Sequence, residues 1–280
     1  MAKFGVLCVC VALAGSAVSP GVAQGAPEDE RMLSYVVRAE LDADGMLSVT
    51  EEITYDFGAS GDGAIRMLPR WYSPAARDAP PDVVRTVDVD QASAALDGRP
   101  VAVARERPSP AKIVLRVGES GERITGEHDV HLQYRIGGLV TKRDGVPVLE
   151  WDLADTSENV PIDHADVTVT VPGQVGDADC LTGYGVTGRG GNRCTTTESS
   201  GSTAHFAVDR ISSYDRMRTS VELPGNVAVP REKTEVMPDL SNGEVERASG
   251  GSFSWFTLVL LVVFAGGAIR FGGSLLRRRS

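Results

Sequence analysis

Four histidines, four cysteines and 38 carboxylates are the residues of this 280-residue chain that could carry chemistry. His128 and His131 are three apart in a stretch that alternates like a β-strand. They therefore point to opposite faces and cannot ligate one metal there. His164 and His205 stand apart from them, and solvent-facing or capping roles suit all four. Gly118-Glu119-Ser120-Gly121 is one residue short of a nucleophile elbow and reads as a turn. No His-Glu-x-x-His motif occurs. Asp152 and Asp155 beside Trp151 suit a glycosidase acid/base pair with an aromatic sugar platform. The simpler reading puts Trp151 in the core and the acids at a strand's end. Asp152, Asp155, Glu158 and Asp163 concentrate oxygen ligands, but their spacing matches no calcium loop. No catalytic, cofactor-binding or metal-binding residue and no cofactor is assigned.

Cys8 and Cys10 fall in the N-terminal apolar run and are expected to leave with it. Cys180 and Cys194 remain, and in an exported chain such a pair reads as a disulfide rather than two free thiols or half a metal site. Closing a loop of that size stabilises by roughly 3 kcal/mol in the chain-entropy description. Gly183, Gly185, Gly188, Gly190 and Gly191 crowd the loop. It runs into Asn192-Arg193-Cys194 rather than the Gly-Lys-Ser/Thr end and helix of a phosphate loop. A stapled surface loop is the plain reading, with recognition as its functional rival.

One carboxylate stands out by position. Leu47, Val49, Ile53, Tyr55 and Phe57 share one face of a period-two pattern, and Glu51 falls on that same apolar face. A carboxylate there must be neutralised or paired. Arg66, in Ile65-Arg66-Met67-Leu68-Pro69, follows closely enough to be its partner, and a structural Glu51–Arg66 ion pair is expected. Asp44-Gly45 before the strand predicts a tight hairpin with both turn residues at positive φ.

The elements that position these residues are strands. Alternating or apolar stretches occur at 34–41, 47–57, 83–89, 92–96, 100–104, 112–117, 128–136, 148–153, 167–171, 204–208 and 217–223. Asp97-Gly98 is a second hairpin signal, and no convincing amphipathic helix separates the strands. The expected class is all-β: a β-sandwich, one large or two small with a split near Gly137 to Gly145, plus one C-terminal transmembrane helix. Lys3 and the apolar run Phe4–Ala17 make residues 1–25 a signal peptide, ending at Ala23-Gln24-Gly25 or Gly21-Val22-Ala23. Leu13-Ala14-Gly15-Ser16 resembles a lipoprotein signal with Ser in place of the lipidated Cys.

The sandwich then covers 26–224, a Pro-, Gly-, Ser- and charge-rich stalk 225–252, the spanning helix 253–276 and a basic tail 277–280. Arg277-Arg278-Arg279 places the C-terminus in the cytoplasm and the β-domain outside the cell membrane. Leu223-Pro224-Gly225-Asn226 lacks the Thr-Gly of a wall-sorting signal. The net charge is −10, with every acid after position 27, which argues against nucleic acid as a partner.

The motifs Val49-Thr50-Glu51-Glu52-Ile53-Thr54-Tyr55-Asp56-Phe57, Arg66-Met67-Leu68-Pro69, Leu132-Gln133-Tyr134-Arg135-Ile136, Leu149-Glu150-Trp151 and Val169-Thr170-Val171-Pro172 occur in order. With Cys180…Thr182-Gly183…Cys194, this succession over residues 30 to 225 resembles the bacterial predicted membrane proteins called domain of unknown function 2207. The resemblance implies an extracytoplasmic β-domain on a membrane anchor, with no established activity and no catalytic residues to transfer. The expected role is a non-enzymatic interaction or accessory module of the bacterial envelope. It would be held in the lipid bilayer by its C-terminal helix and would meet another membrane or envelope protein. An envelope hydrolase acting on glycan or peptide and a passive stalked surface protein are the competing expectations.

Overall fold

Alternation in the sequence becomes alternation of burial in space. Along Met46–Asp56 every second side chain is buried, from Leu47 through Val49, Glu51 and Ile53 to Tyr55. The computed structural model describes residues 30–58, 64–72, 80–118, 123–155, 160–184 and 191–237. The expected signal peptide, spanning helix and basic tail lie outside these residues, as does the expected stalk beyond Met237. Glu158 is outside them too.

The strands in chain order are β1 (Arg31–Leu41), β2 (Met46–Asp56), β3 (Ala64–Pro69), β4 (Trp71–Tyr72), β5 (Val83–Thr86), β6 (Asp88–Leu96) and β7 (Arg99–Val101). There follow β8 (Val103–Ser109), β9 (Lys112–Val117), β10 (Glu127–Gly137), β11 (Val140–Arg143), β12 (Val146–Asp155) and β13 (Ala165–Thr170). The last are β14 (Ala178–Gly183), β15 (Asn192–Arg193), β16 (Thr196–Ser200), β17 (Thr203–Val208), β18 (Arg216–Glu222) and β19 (Lys233–Val236). The described residues are all-β: they contain no helix, and so none long and apolar enough to cross a membrane.

Four sheets share the strands. The largest runs β16-β17-β13-β1-β2-β10-β6-β7, a five-stranded sheet runs β11-β12-β18-β14-β15, and two small sheets are β19-β5-β4 and β3-β9-β8. All pairings are antiparallel except β1 with β13, which places Val37 beside Val167. Side chains from all four sheets, such as Val37, Trp151, Tyr72 and Leu115, join one hydrophobic cluster. Two small sheets that complete the core explain why strands with weak alternation still form. β11, β14 and β16 gave no usable sequence pattern, and each is held by a neighbour with a strong one.

The turns separate into two kinds. Asp97 and Gly98 both take positive φ, 48° and 75°, in the two-residue turn expected between β6 and β7. Asp144-Gly145 does the same between β11 and β12, at 52° and 89°. The β1–β2 turn differs from expectation, because only Gly45 is at positive φ there. It is a longer turn, held by Asp42, whose carboxylate accepts the N–H groups of Asp44 at 3.0 Å and Met46 at 2.9 Å. A Cβ on Gly45 would sit 2.9 Å from the Ala228 carbonyl oxygen, so this turn also needs glycine for close packing. Residues 225–252 were expected as a stalk, yet Lys233–Val236 form β19 on the open edge of β5. An unpaired edge can recruit even a polar segment, since the backbone supplies the bonds.

His128 on β10 pins the β6–β7 turn to the large sheet. Its Nδ1 lies 2.8 Å from the Asp97 carboxylate and its Nε2 3.2 Å from the Thr125 carbonyl oxygen. Two acceptors facing the two ring nitrogens favour the imidazolium, so the hydrogen bond to Asp97 raises the His128 pKa. The same bond lowers Asp97. The histidine contribution is complete below the ordinary value near 6.5 and is lost as pH rises through the raised folded value. The aspartate contribution is present above the ordinary carboxylate value and lost as pH falls through the depressed one. Thermal melts should therefore show wild type most ahead of His128→Asn between about pH 4 and 6.5, with the gap closing at higher pH. A gap constant up to pH 9 would exclude this coupling.

Candidate functional site

Strand register decides what surrounds Glu51. Val37 of β1 and Leu132 of β10 lie directly opposite it on either side. Their neighbours two residues along, Tyr35 and Tyr134, share its face as diagonal partners. Both phenols reach the carboxylate: Tyr35 donates to Oε1 at 2.9 Å and Tyr134 at 2.6 Å. Arg66 comes from β3, in a different sheet, and its Nε donates to both carboxylate oxygens at 3.0 Å. Its Nη2 donates to the Tyr35 hydroxyl at 2.9 Å and to the Leu153 carbonyl oxygen of β12.

The group is sealed, with Glu51 at 0% and Arg66 at 6% exposure. Burial lowers the Arg66 guanidinium, but the Glu51 charge and its hydrogen bond, together with the Tyr35 and Tyr134 phenols, more than reverse this, so its pKa ends well above the ordinary value. Burial pushes both phenols up as well, so Tyr35 and Tyr134 stay protonated donors. This constellation fastens three sheets and has no opening for a substrate.

Cys180 and Cys194, the other expected pair, form a disulfide across 14 residues with a Cα–Cα distance of 5.4 Å. The Cys194 N–H also donates to the Cys180 carbonyl oxygen at 3.1 Å. The bond anchors β15 and the start of β16 to the middle of β14.

Of the expected acid/base pair, the Asp155 side chain lies outside the described ones. Trp151 is fully buried in the core, and Asp152 is held by Arg218, whose Nη2 donates at 2.8 Å and whose Nε also bonds it. Asp163 lies 3.5 Å from Arg31. Among the described residues, no three His, Cys, Asp or Glu side chains gather as a metal site.

The polar concave site lies on the other face of the β12 sheet. Leu149, Trp151 and Leu153 face the core, so Glu150 and Asp152 point the opposite way. Register puts Glu150 and Asp179 on either side of Ser220, and Asp152 and Leu181 on either side of Arg218. Arg143 of β11 bonds Glu150, and Tyr72 of β4 leans over the row, its hydroxyl accepting the Asp152 N–H at 3.4 Å. Arg85 of β5 stacks 5.0 Å over the Tyr72 ring and donates to the Gly138 carbonyl oxygen. Gly138 is at φ +90, and a Cβ there would meet the Thr86 carbonyl oxygen at 2.9 Å, so glycine permits this approach.

Tyr72, Arg143, Glu150, Asp179, Leu181, Arg218 and Ser220 together line a cleft of about 280 Å³. Its charges are paired: Arg218 with Asp152, Arg143 with Glu150, and Arg193 with Asp179 at 3.3 Å. The bond to Asp152 raises Arg218, whereas burial lowers Arg85 and pushes the Tyr72 phenol up. The sequence pointed to Asp152 but missed Arg143, Arg218 and Tyr72. An apolar face carrying tyrosines was the available signal for Tyr35 and Tyr134, since buried hydroxyls need partners.

The sequence model of a protein family described as "Predicted membrane protein (DUF2207) N-terminal domain" matches residues 31–223. The chain belongs to that family. The DUF2207 match spans both the buried Glu51 network and the cleft. No curated protein matches the chain. Among solved structures it is similar to leukotriene A4 hydrolase from Saccharomyces cerevisiae, at 10% identity and TM-score 0.36, over 69% of this chain and 29% of that one. It is also similar to an M1 zinc metallopeptidase from Deinococcus radiodurans, at 13% identity and TM-score 0.35, over 68% of this chain and 42% of that one. The chain thus spans less than half the length of either protein, and likeness this distant says nothing of activity.

Removing one partner of a buried ion pair leaves the other charge uncompensated, at a cost of about 3–5 kcal/mol. Glu51→Gln should lower unfolding stability by about that much, measured by urea denaturation. Glu51→Leu combined with Arg66→Met should recover most of the loss, as double replacement by apolar residues often does. Unchanged stability in Glu51→Gln would show that the pair does not hold the sheets together.

Proposed function

We propose that this DUF2207 domain is a membrane-anchored, extracytoplasmic β-sandwich module that works by binding rather than by catalysis. On this reading it serves as an accessory to another membrane or envelope protein. The observation that carries the reading is the cleft on the β12 sheet. Each carboxylate that lines it is already engaged by a guanidinium, on strands that cannot easily move apart. Paired charges on a rigid surface recognise complementary groups, whereas general acid/base work needs a group free to exchange its proton.

The membrane part of the proposal draws on the family description, which is that of a predicted membrane protein. For this chain it draws also on the apolar run from Phe253 to Ile269 and the terminal Arg277-Arg278-Arg279. On this reading an N-terminal signal precedes the outward-facing β-domain and a helix across the bilayer follows it.

A photo-activated crosslinker placed at Ser220 in intact cells tests the reading. The expected result is a crosslink to a defined envelope or membrane protein that is lost when Arg218 is replaced by Glu. The full chain should meanwhile leave peptide and glycan reporters intact. Turnover of either reporter that disappears in Asp152→Asn would replace the binding reading with a hydrolase.

A further inference from the structure

The donors of the cleft outnumber the acceptors that use them. Arg218 spends Nε and Nη2 on Asp152, and Arg143 spends Nη2 on Glu150. A guanidinium carries five N–H donors, so both arginines keep donors unspent. Tyr72 is 7% exposed, and its hydroxyl accepts from the Asp152 backbone. Burial keeps the phenol protonated, so it retains an O–H that donates to no group among the described residues. Ser220 stands between Glu150 and Asp179 in the cleft wall with a hydroxyl of its own. A buried hydroxyl with an unused proton, beside two arginines with unused N–H groups, calls for an acceptor from outside.

We propose that the cleft formed by Tyr72, Arg143, Arg218 and Ser220 is a binding site for a carboxylate group, and that its ligand is the carboxylate end of a short chain. The proposal deepens the binding reading above and rests on it. Planar guanidiniums match a carboxylate through paired N–H donors, and each such charge-assisted bond is stronger than a neutral one. Glu150 and Asp179 share the space and would repel a phosphate dianion more strongly than a monoanion. A volume of about 280 Å³ lies at the low end for ligand pockets, so it suits a terminal group rather than a whole extended chain. Among the described residues Asp179 meets Arg193, a side chain 82% exposed, and it can accept an N–H from the residue preceding the bound carboxylate.

Isothermal titration of the full chain in detergent micelles tests this with four probes: N-acetyl-Gly-Gly, its C-terminal amide, acetate and inorganic phosphate. Saturable binding of the peptide acid, with at least a tenfold weaker response to its amide, is the expected result. Arg143→Gln and Tyr72→Phe should each weaken the acid by about tenfold, the usual effect of losing one hydrogen bond to a charged group. Tyr72→Phe keeps the ring that packs against Arg85, so an unchanged melting temperature separates lost binding from lost folding. Acetate matching the peptide acid would make a free small acid the ligand source and keep the carboxylate site. Equal binding of acid and amide, preference for phosphate, or no saturable binding of any probe would overturn the site. The crosslinking and turnover measurements remain independent of this outcome: turnover overturns the binding reading, whereas a failed titration overturns only the carboxylate site.

Discussion

A carboxylate in the middle of the largest sheet, fully removed from water, constrains everything packed against it. Glu51 cannot remain ionised there without a cation and a full set of donors. The register of three neighbouring strands supplies two of them as Tyr35 and Tyr134, and β3 supplies Arg66. Apolar residues of similar volume would hold the layers about as well, because desolvation offsets much of the Coulomb attraction. The pair contributes directionality instead. A greasy contact tolerates sliding by an ångström, whereas a guanidinium bonded at once to Glu51, Tyr35 and Leu153 fixes β1, β2, β3 and β12 in one arrangement.

That fixed arrangement reaches the surface through a single step along β12. Leu153 offers its carbonyl oxygen inward to Arg66, and its neighbour Asp152 takes Arg218 on the opposite face. The register of β12 with β18 shifts between Asp152 and Ala154, directly beside this junction. The irregularity leaves Leu153 out of the pairing with β18, and its carbonyl oxygen accepts from Arg66 instead. The cleft is therefore positioned by the core network rather than by loops, and its lining comes almost wholly from strands. β19 adds a second brace: it pairs with β5, the strand that carries Arg85 beneath the Tyr72 ring.

Much of this was legible from residue order because period-two alternation survives wherever one face is buried. Thr203–Val208 and the core-facing set Leu149, Trp151 and Leu153 are examples. Glu51 was conspicuous by violating the pattern, and a violation needs a nearby compensating charge, so Arg66 could be named from proximity in the chain. Tyr35 and Tyr134 were not named, because a tyrosine on an apolar face looks like any other core aromatic until strand order brings its hydroxyl to a carboxylate. β19 was hidden for a different reason: Lys233-Thr234-Glu235-Val236 has no apolar face, and only the open edge of β5 makes it a strand. The cleft was least legible of all. Arg143, Glu150, Asp179 and Arg218 come from four strands spread over 76 positions, and only sheet topology brings them together.

The two classes of ion pair in this domain divide its work by solvent exposure. The Glu51–Arg66 side chains are 0% and 7% exposed, so parting them would strand a charge in the core. Arg143 and Glu150 are 53% and 29% exposed, and water compensates either one when they separate. Exposed pairs contribute about 0–1 kcal/mol, so Arg143 can adjust within its bond to Glu150 and aim its unspent N–H groups at an incoming acceptor with little loss of stability. Arg218 is intermediate: Asp152 beneath it is 4% exposed and holds it in place while its remaining donors face the cleft. A gradient from sealed to solvent-exposed charge, running outward across β12, lets the same strand hold the fold and present donors at the surface.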